Sequence, residues 1–168
     1  MADARPFGPL LIIAAEAIGQ PGQRRFRIKA MNENGESASL WLEKEQLIAL
    51  GEALENVLKE EGYEYRALPL DDASPEPVFP LDAHVEFRAS QLSMGVNRDS
   101  RTIVLIGAEV TDDATVAVSF EFDYRRGFEL RRQVNDVVAS GRPPCPLCTA
   151  PMDPQGHVCP RTNGHHKQ

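Results

Sequence analysis

The sequence predicts an α+β fold in which two βββα halves, an internal duplication, form one antiparallel or mixed sheet with both helices on one face. A zinc knuckle is expected to close the chain at its C-terminal end. Three observations predict this. Short strand-like segments precede each of two long amphipathic patterns. A single shift of eighty positions lays the second half over the first. All three cysteines fall within a short C-terminal stretch. The expected boundaries are 1–66 for the first half, 67–83 for a Pro-rich linker, 84–141 for the second half and 142–168 for the knuckle and tail.

The first half starts after Phe7-Gly-Pro9 with an apolar strand over residues 10–18, ended by Gly19-Gln-Pro-Gly22. Residues 24–31 alternate, with Phe26, Ile28 and Ala30 on one face and Arg25, Arg27 and Lys29 on the other. Asn32-Glu-Asn-Gly35 reads as a hairpin turn, because Asn-Gly tolerates positive φ. A third strand from Ser37 to Leu42 leads into a helix from about Glu43 to Glu61. That helix places Leu47, Leu50, Leu54, Val57 and Leu58 on one face and stops at Gly62.

Tyr63 to Asp82 holds Pro69, Pro75, Pro77 and Pro80 among acids, the composition of a surface linker. The second half then repeats the plan. Strands are expected over 84–94, 102–110 and 115–122, with turns at Asn97–Ser100 and Thr111–Asp113, followed by a helix from about Tyr124 to Ser140. The eighty-position shift sets Leu40 and Leu42 on Phe120 and Phe122. It also sets Leu50, Leu54, Val57 and Leu58 on Leu130, Val134, Val137 and Val138. That period is too long for a solenoid, so two halves of one domain are expected.

The chain carries 168 residues, 42% of them hydrophobic, which suits one globular domain with an appendage. Its net charge of −7 argues against a surface that binds nucleic acid everywhere. The charge is uneven: residues 142–168 sum to +2 and the remainder to −9. The run Leu10–Ala15 is too short and has no basic cluster before it, so it reads as a buried strand and not a signal peptide. Nothing approaches a membrane span. A cytoplasmic protein with no membrane contact is expected.

The metal argument rests on spacing. Cys145-Pro-Leu-Cys148 puts two thiolates at the sides of a tight turn, and Cys159 returns after ten intervening residues. One structural Zn²⁺ per chain held by sulfur and imidazole needs a fourth ligand. His157 is favoured because His157-Val-Cys159 directs both side chains the same way on extended backbone. His165 is the alternative, with His166 further off. A redox CxxC would strand the third cysteine, and a disulfide fits poorly with an odd cysteine count. A catalytic zinc with an open position is the remaining reading.

The body offers no convincing catalytic set. Gly19–Gly22 lacks the Lys-Ser/Thr ending of a phosphate loop and precedes a strand. His84 reads as a half-exposed residue opening a strand, and Asp71-Asp72 and Asp112-Asp113 as solvated turn residues. Two basic groups stand out. One is the strand face of Arg25, Arg27 and Lys29. The other joins Arg125, Arg126, Arg131 and Arg132 on the last helix to Arg142 and Arg161, an expected anionic-ligand surface weighed against a solvated helix face. The nearby aromatics, Phe120, Phe122, Tyr124 and Phe128, alternate as core residues do.

The segments AIGQPGQRRFRIKA, LWLEKEQLIALGEALENVL, FRASQLSMG, and above all GRPPCPLC with GHVCPRTNG, resemble one bacterial family over nearly the whole chain. It is the Domain of Unknown Function 3090 family. Thr149 departs from the glycine that commonly follows the second cysteine of such knuckles. The resemblance implies no activity. It does imply a setting beside histidine-phosphatase-like and kinase-like proteins.

Three functions follow as expectations, in order. The first is a non-enzymatic binding or scaffolding module with a structural zinc site and a protein partner. The second is an RNA- or phosphate-ligand-binding protein using the helix arginines and the knuckle. The third is a zinc-dependent enzyme. Exposed sheet edges make a homodimer unsurprising.

Overall fold

The computed structural model describes residues 4–20, 22–65, 78–140 and Leu147. Over these residues it is an α+β protein with two four-stranded mixed sheets and two helices. The single sheet of about six strands expected from the sequence is therefore corrected to two. The elements are β1 (Arg5–Pro6), β2 (Leu10–Ile18), β3 (Arg25–Asn32), β4 (Ser37–Leu42), α1 (Lys44–Glu60), β5 (Val85–Arg88), β6 (Gln91–Asn97), β7 (Thr102–Val110), β8 (Thr115–Asp123) and α2 (Tyr124–Ser140). One sheet has the order β2-β3-β4-β5 and the other β1-β8-β7-β6.

The division has a local cause. The segment 84–94, read as one strand, contains two. The Ala89 N–H donates to Trp41 O in the first sheet, and the next N–H, that of Ser90, donates to Ala108 O in the second. The chain changes sheets between adjacent residues. The short β1 escaped the sequence reading because two residues, one of them Pro6, show no periodicity.

Two strands pair crosswise. β5 runs parallel to β4 with Val85 opposite Ala38, and β1 runs parallel to β8 with Arg5 opposite Val118. Each leading strand thus lies beside the last strand of the other half. The remaining pairs are antiparallel, β2 with β3 and β3 with β4 in one sheet, β6 with β7 and β7 with β8 in the other.

The hairpin after β3 turns through Gly35 at φ +82, a conformation that favours glycine. Asn32 organises it. Its side-chain oxygen accepts the N–H groups of Asn34 and Glu36, and its amide donates to Phe7 O at 2.9 Å, which ties the segment after β1 to the turn. Arg5 adds a 2.7 Å ion pair to Glu36.

α1 begins with the Glu43 N–H bonded to the Gln46 side chain at 2.8 Å, half of a capping box. It ends with the Gly62 N–H on Lys59 O and the Tyr63 N–H on Leu58 O, with Gly62 at φ +65, which is a Schellman motif. α2 is capped by Asp123, whose carboxylate accepts the Arg126 N–H at 2.8 Å.

The inner faces of the two sheets meet and share one core with the helices. Leu40, Leu47, Leu54, Ile103, Phe120 and Leu130 are fully buried; each such side chain contributes roughly 1.5–3 kcal/mol by leaving water. The helices pack on each other, with Val134 against Gly51, and α1 also lies against β6. α2 runs along β2 and also touches β7 and β8 of the other sheet. Neither helix is long and apolar enough to cross a membrane.

Candidate functional site

The proposed zinc ligands Cys145, Cys148, Cys159 and His157, the alternative His165, and Arg142 and Arg161 lie outside the described residues. Among the described residues no three His, Cys, Asp or Glu side chains are grouped to hold a metal ion.

The helix arginines have other occupations. Arg126 donates to Leu10 O at 2.6 Å and fastens α2 to the start of β2. Arg131 lies 3.6 Å from Glu55 of α1, its guanidinium 5.2 Å from the Phe128 ring centroid. Arg125 pairs with Glu129 one turn on at 3.5 Å. Arg132 is exposed and, among the described residues, has no ion pair. Arg126 and Arg131 thus have partners on other elements, Arg125 has one along its own helix, and Arg132 faces solvent.

Phe120, Phe122 and Tyr124 are buried, as their alternation predicts. Phe128 instead stacks on Tyr65 with centroids 4.4 Å apart. Tyr63 joins that cluster, and its burial pushes the phenol above its ordinary range. His84 is exposed and structural. Its backbone N–H donates to Ser37 Oγ at 3.2 Å, and its Nδ1 accepts the Ser37 N–H at 3.2 Å. Asp112 and Asp113 are exposed turn residues, bracketed by the Thr111 N–H on Ala114 O at 2.9 Å.

A different surface gathers cations and aromatic rings. Alternation along β3 turns Ile28 and Ala30 into the core, so Arg25, Arg27 and Lys29 project from the outer face of the β2-β3-β4-β5 sheet. The same rule on β4 buries Ala38, Leu40 and Leu42 and leaves Trp41 outside. Register then brings them together, with Glu16, Arg27 and Trp41 opposite one another and Arg88 beside Trp41.

The Arg25 guanidinium lies 4.0 Å from the Trp41 ring centroid, and Arg27 5.5 Å from it, distances at which a ring face attracts a cation. Phe79, arriving from the segment between α1 and β5, covers Arg27 at 5.1 Å and Lys29 at 5.6 Å. The face is held rigidly. Arg27 donates twice to Glu16, at 2.9 and 2.8 Å, and once to Ser39 Oγ at 3.2 Å. The Trp41 indole N–H donates to Glu86 at 2.7 Å, and Arg88 pairs with Glu43.

Beside Trp41 opens a depression of about 400 Å³ whose charged lining is Arg24, Arg25, Lys44 and Arg88 with Glu43 and Glu45. Alternation alone exposed Arg25, Arg27 and Lys29. Trp41, Phe79 and Arg88 were missed because only strand register and the return of a distant segment place them there. Nothing in the arrangement is a nucleophile beside a base. It is suited to holding a charged or aromatic group against a preorganised surface.

No curated protein matches the chain. A family model described as "Protein of unknown function (DUF3090)" matches residues 6–159, nearly the whole of the chain, and the protein belongs to that family.

Proposed function

We propose that this is a non-catalytic binding module, stapled by one structural zinc ion, that docks a protein partner on the outer face of the β2-β3-β4-β5 sheet. The observation that carries the docking surface is the Arg25–Trp41 stack, with the two groups 4.0 Å apart. Tryptophan and arginine are the residues most enriched at interface hot spots. Glu16, Glu43 and Glu86 offset the local cations, which suits a protein surface of mixed charge better than a polyanion. The partner would bring a carboxylate to Arg25 and an apolar contact to the indole.

The zinc reading is supported by donor chemistry and spacing: three thiolates from Cys145, Cys148 and Cys159 and one imidazole, His157 or else His165, complete a four-coordinate site. Duplication of a βββα unit is supported by position. Lys44–Glu60 and Tyr124–Ser140 lie eighty residues apart at both ends, and the same shift carries the pair Val85 and Ala38 onto Arg5 and Val118 with the partners exchanged.

Trp41 is the chain's one tryptophan, so its fluorescence reports directly on this face. Binding of the cellular partner should shift that emission. Capture should be lost in Arg25→Glu and Trp41→Ala and kept in Arg132→Glu; equal capture by all three variants would remove the surface from the proposal.

A second reading, an RNA or phosphate ligand, gains from the interleaving of Trp41 and Phe79 with Arg25 and Lys29. It requires a salt-dependent RNA shift that weakens in Arg25→Ala with Lys29→Ala. A zinc enzyme requires an open coordination position, which cobalt spectroscopy distinguishes from four protein ligands.

A further inference from the structure

Among the described residues the two sheets have four edge strands, and three carry features that hinder pairing with another strand. β1 is two residues long and contains Pro6. β5 is four residues long and bears Glu86 and Arg88. β2 is nine residues long but covered by α2, whose side chains occupy its outward backbone groups: the Ala15 N–H donates to Gln133 Oε1 at 3.0 Å, and Leu10 O accepts from Arg126 at 2.6 Å.

Among the described residues the fourth edge, β6, has none of these devices. Its seven residues, Gln91-Leu-Ser-Met-Gly-Val-Asn97, carry no charge and no proline. Among the described residues no side chain hydrogen-bonds its backbone. Its inward row, Leu92, Met94 and Val96, is only half-buried, whereas Ile103 and Leu105 on the adjacent β7 are fully buried. Between β6 and α1 runs a mainly apolar groove of about 310 Å³, and the helix presents Gln46, Ala49 and Ala53 to it. Both walls are uncharged in a chain that is 26% charged.

We infer that β6 is a homodimerisation edge, and that its occupant is the β6 of a second copy of this chain, added antiparallel. The strand is complementary to itself in that direction. With Met94 on the twofold axis, Leu92 lies opposite the partner's Val96, and Gln91 opposite the partner's Asn97. No like charges oppose one another, and the inward rows of both copies join into one apolar stripe that fills both grooves. A twofold axis closes the assembly at two copies, joining the two four-stranded β1-β8-β7-β6 sheets into one continuous sheet.

Sedimentation of the full-length zinc-loaded protein at tens of micromolar tests this, with twice the chain mass expected. Gly95 has open space where a Cβ would stand and no positive φ, and Ser93 is exposed. The double variant Ser93→Lys with Gly95→Lys therefore sets like charges opposite each other without disturbing the fold, and it should sediment as a monomer. Ser93→Thr with Gly95→Ser should stay dimeric. Hydrogen exchange on the unmodified chain gives an independent reading: amides of Gln91–Asn97 should slow as concentration rises, and those of Leu10–Ile18 should not. A monomeric wild-type protein, a lysine variant that remains dimeric, or β6 exchange independent of concentration would each overturn the inference.

Discussion

Ala89 and Ser90 are neighbours in the chain whose N–H groups enter different sheets, one reaching Trp41 O at 3.0 Å and the other Ala108 O at 2.9 Å. Ser90 also offers its hydroxyl oxygen to the Val110 N–H at 3.0 Å. Replacing Ser90 with proline removes the donor to Ala108 and the hydroxyl together. Ser90→Pro should lower stability by roughly 1–3 kcal/mol, the usual cost of stranding such groups. Ser90→Ala keeps the backbone bond and should lose about 1 kcal/mol or less. Urea midpoints of the two variants measure the difference, and equal midpoints would show that the sheet change does not depend on this bond.

Because each leading strand pairs in the other half, neither half holds a complete sheet. Phe7, which follows β1, is buried against Phe120 with ring centroids 5.2 Å apart, and Phe87 in β5 lies opposite Leu40. Fragments 1–70 and 71–168 made separately should therefore show little native far-UV circular dichroism, and mixing them should restore it. A first fragment that unfolds cooperatively alone would show that the exchanged strands are dispensable.

The elements that alternation and helical periodicity can specify were legible. β2, β4, β7 and both helices fall where the sequence places them, because each has one buried face and clear ends at Gly19, Gly62 or Asp123. What was not legible is non-local. Nothing in Ala89-Ser90 as residue types says that the chain leaves one sheet for another, since either residue continues a strand without strain. The site suffered for the same reason. Charge and spacing made Arg125, Arg126, Arg131 and Arg132 look like one surface. Arg126 instead reaches a carbonyl over a hundred residues away, and Arg131 faces α1.

Two glycines in paired strands should respond oppositely to the same change. A Cβ on Gly107 would stand 2.8 Å from Leu40 Cδ1 and 3.3 Å from its Cδ2, and Leu40 is fully buried between the sheets. Gly107→Ala should cost about 1–3 kcal/mol as overpacking. Gly95 meets nothing within 4 Å, and Gly95→Ala should be neutral or stabilise by about 0.4–1 kcal/mol through the unfolded chain. Thermal or urea unfolding of the pair checks the ranking; a neutral Gly107→Ala would mean that the sheets can separate to admit a methyl group.

The helix arginines divide by their partners. Arg126→Met retains most of the apolar stem and strands Leu10 O, so it should destabilise by roughly 1–3 kcal/mol. Arg132→Ala on the exposed face should change stability by less than about 0.5 kcal/mol. Any RNA binding lost in Arg126→Met without loss in Arg132→Ala would report on folding and not on contact. Stability measured on the same samples separates the two.

The metal prediction depends on donors rather than packing. The proposed donors all follow the last helix in the chain, so the zinc centre and the body should be separable. Protein purified under reducing conditions should carry about one equivalent of zinc, as a four-coordinate structural site requires. Cys148→Ser and Cys159→Ser should each release it, and His157→Ala should release more than His165→Ala. Chelation should expose the segment after Ser140 to protease while leaving the urea transition of the body near its original midpoint, because metal binding supplies folding energy only to the turns it joins. Full zinc retention in His157→Ala would transfer the fourth position to His165. A metal-free protein with the same protease resistance would remove the zinc centre altogether.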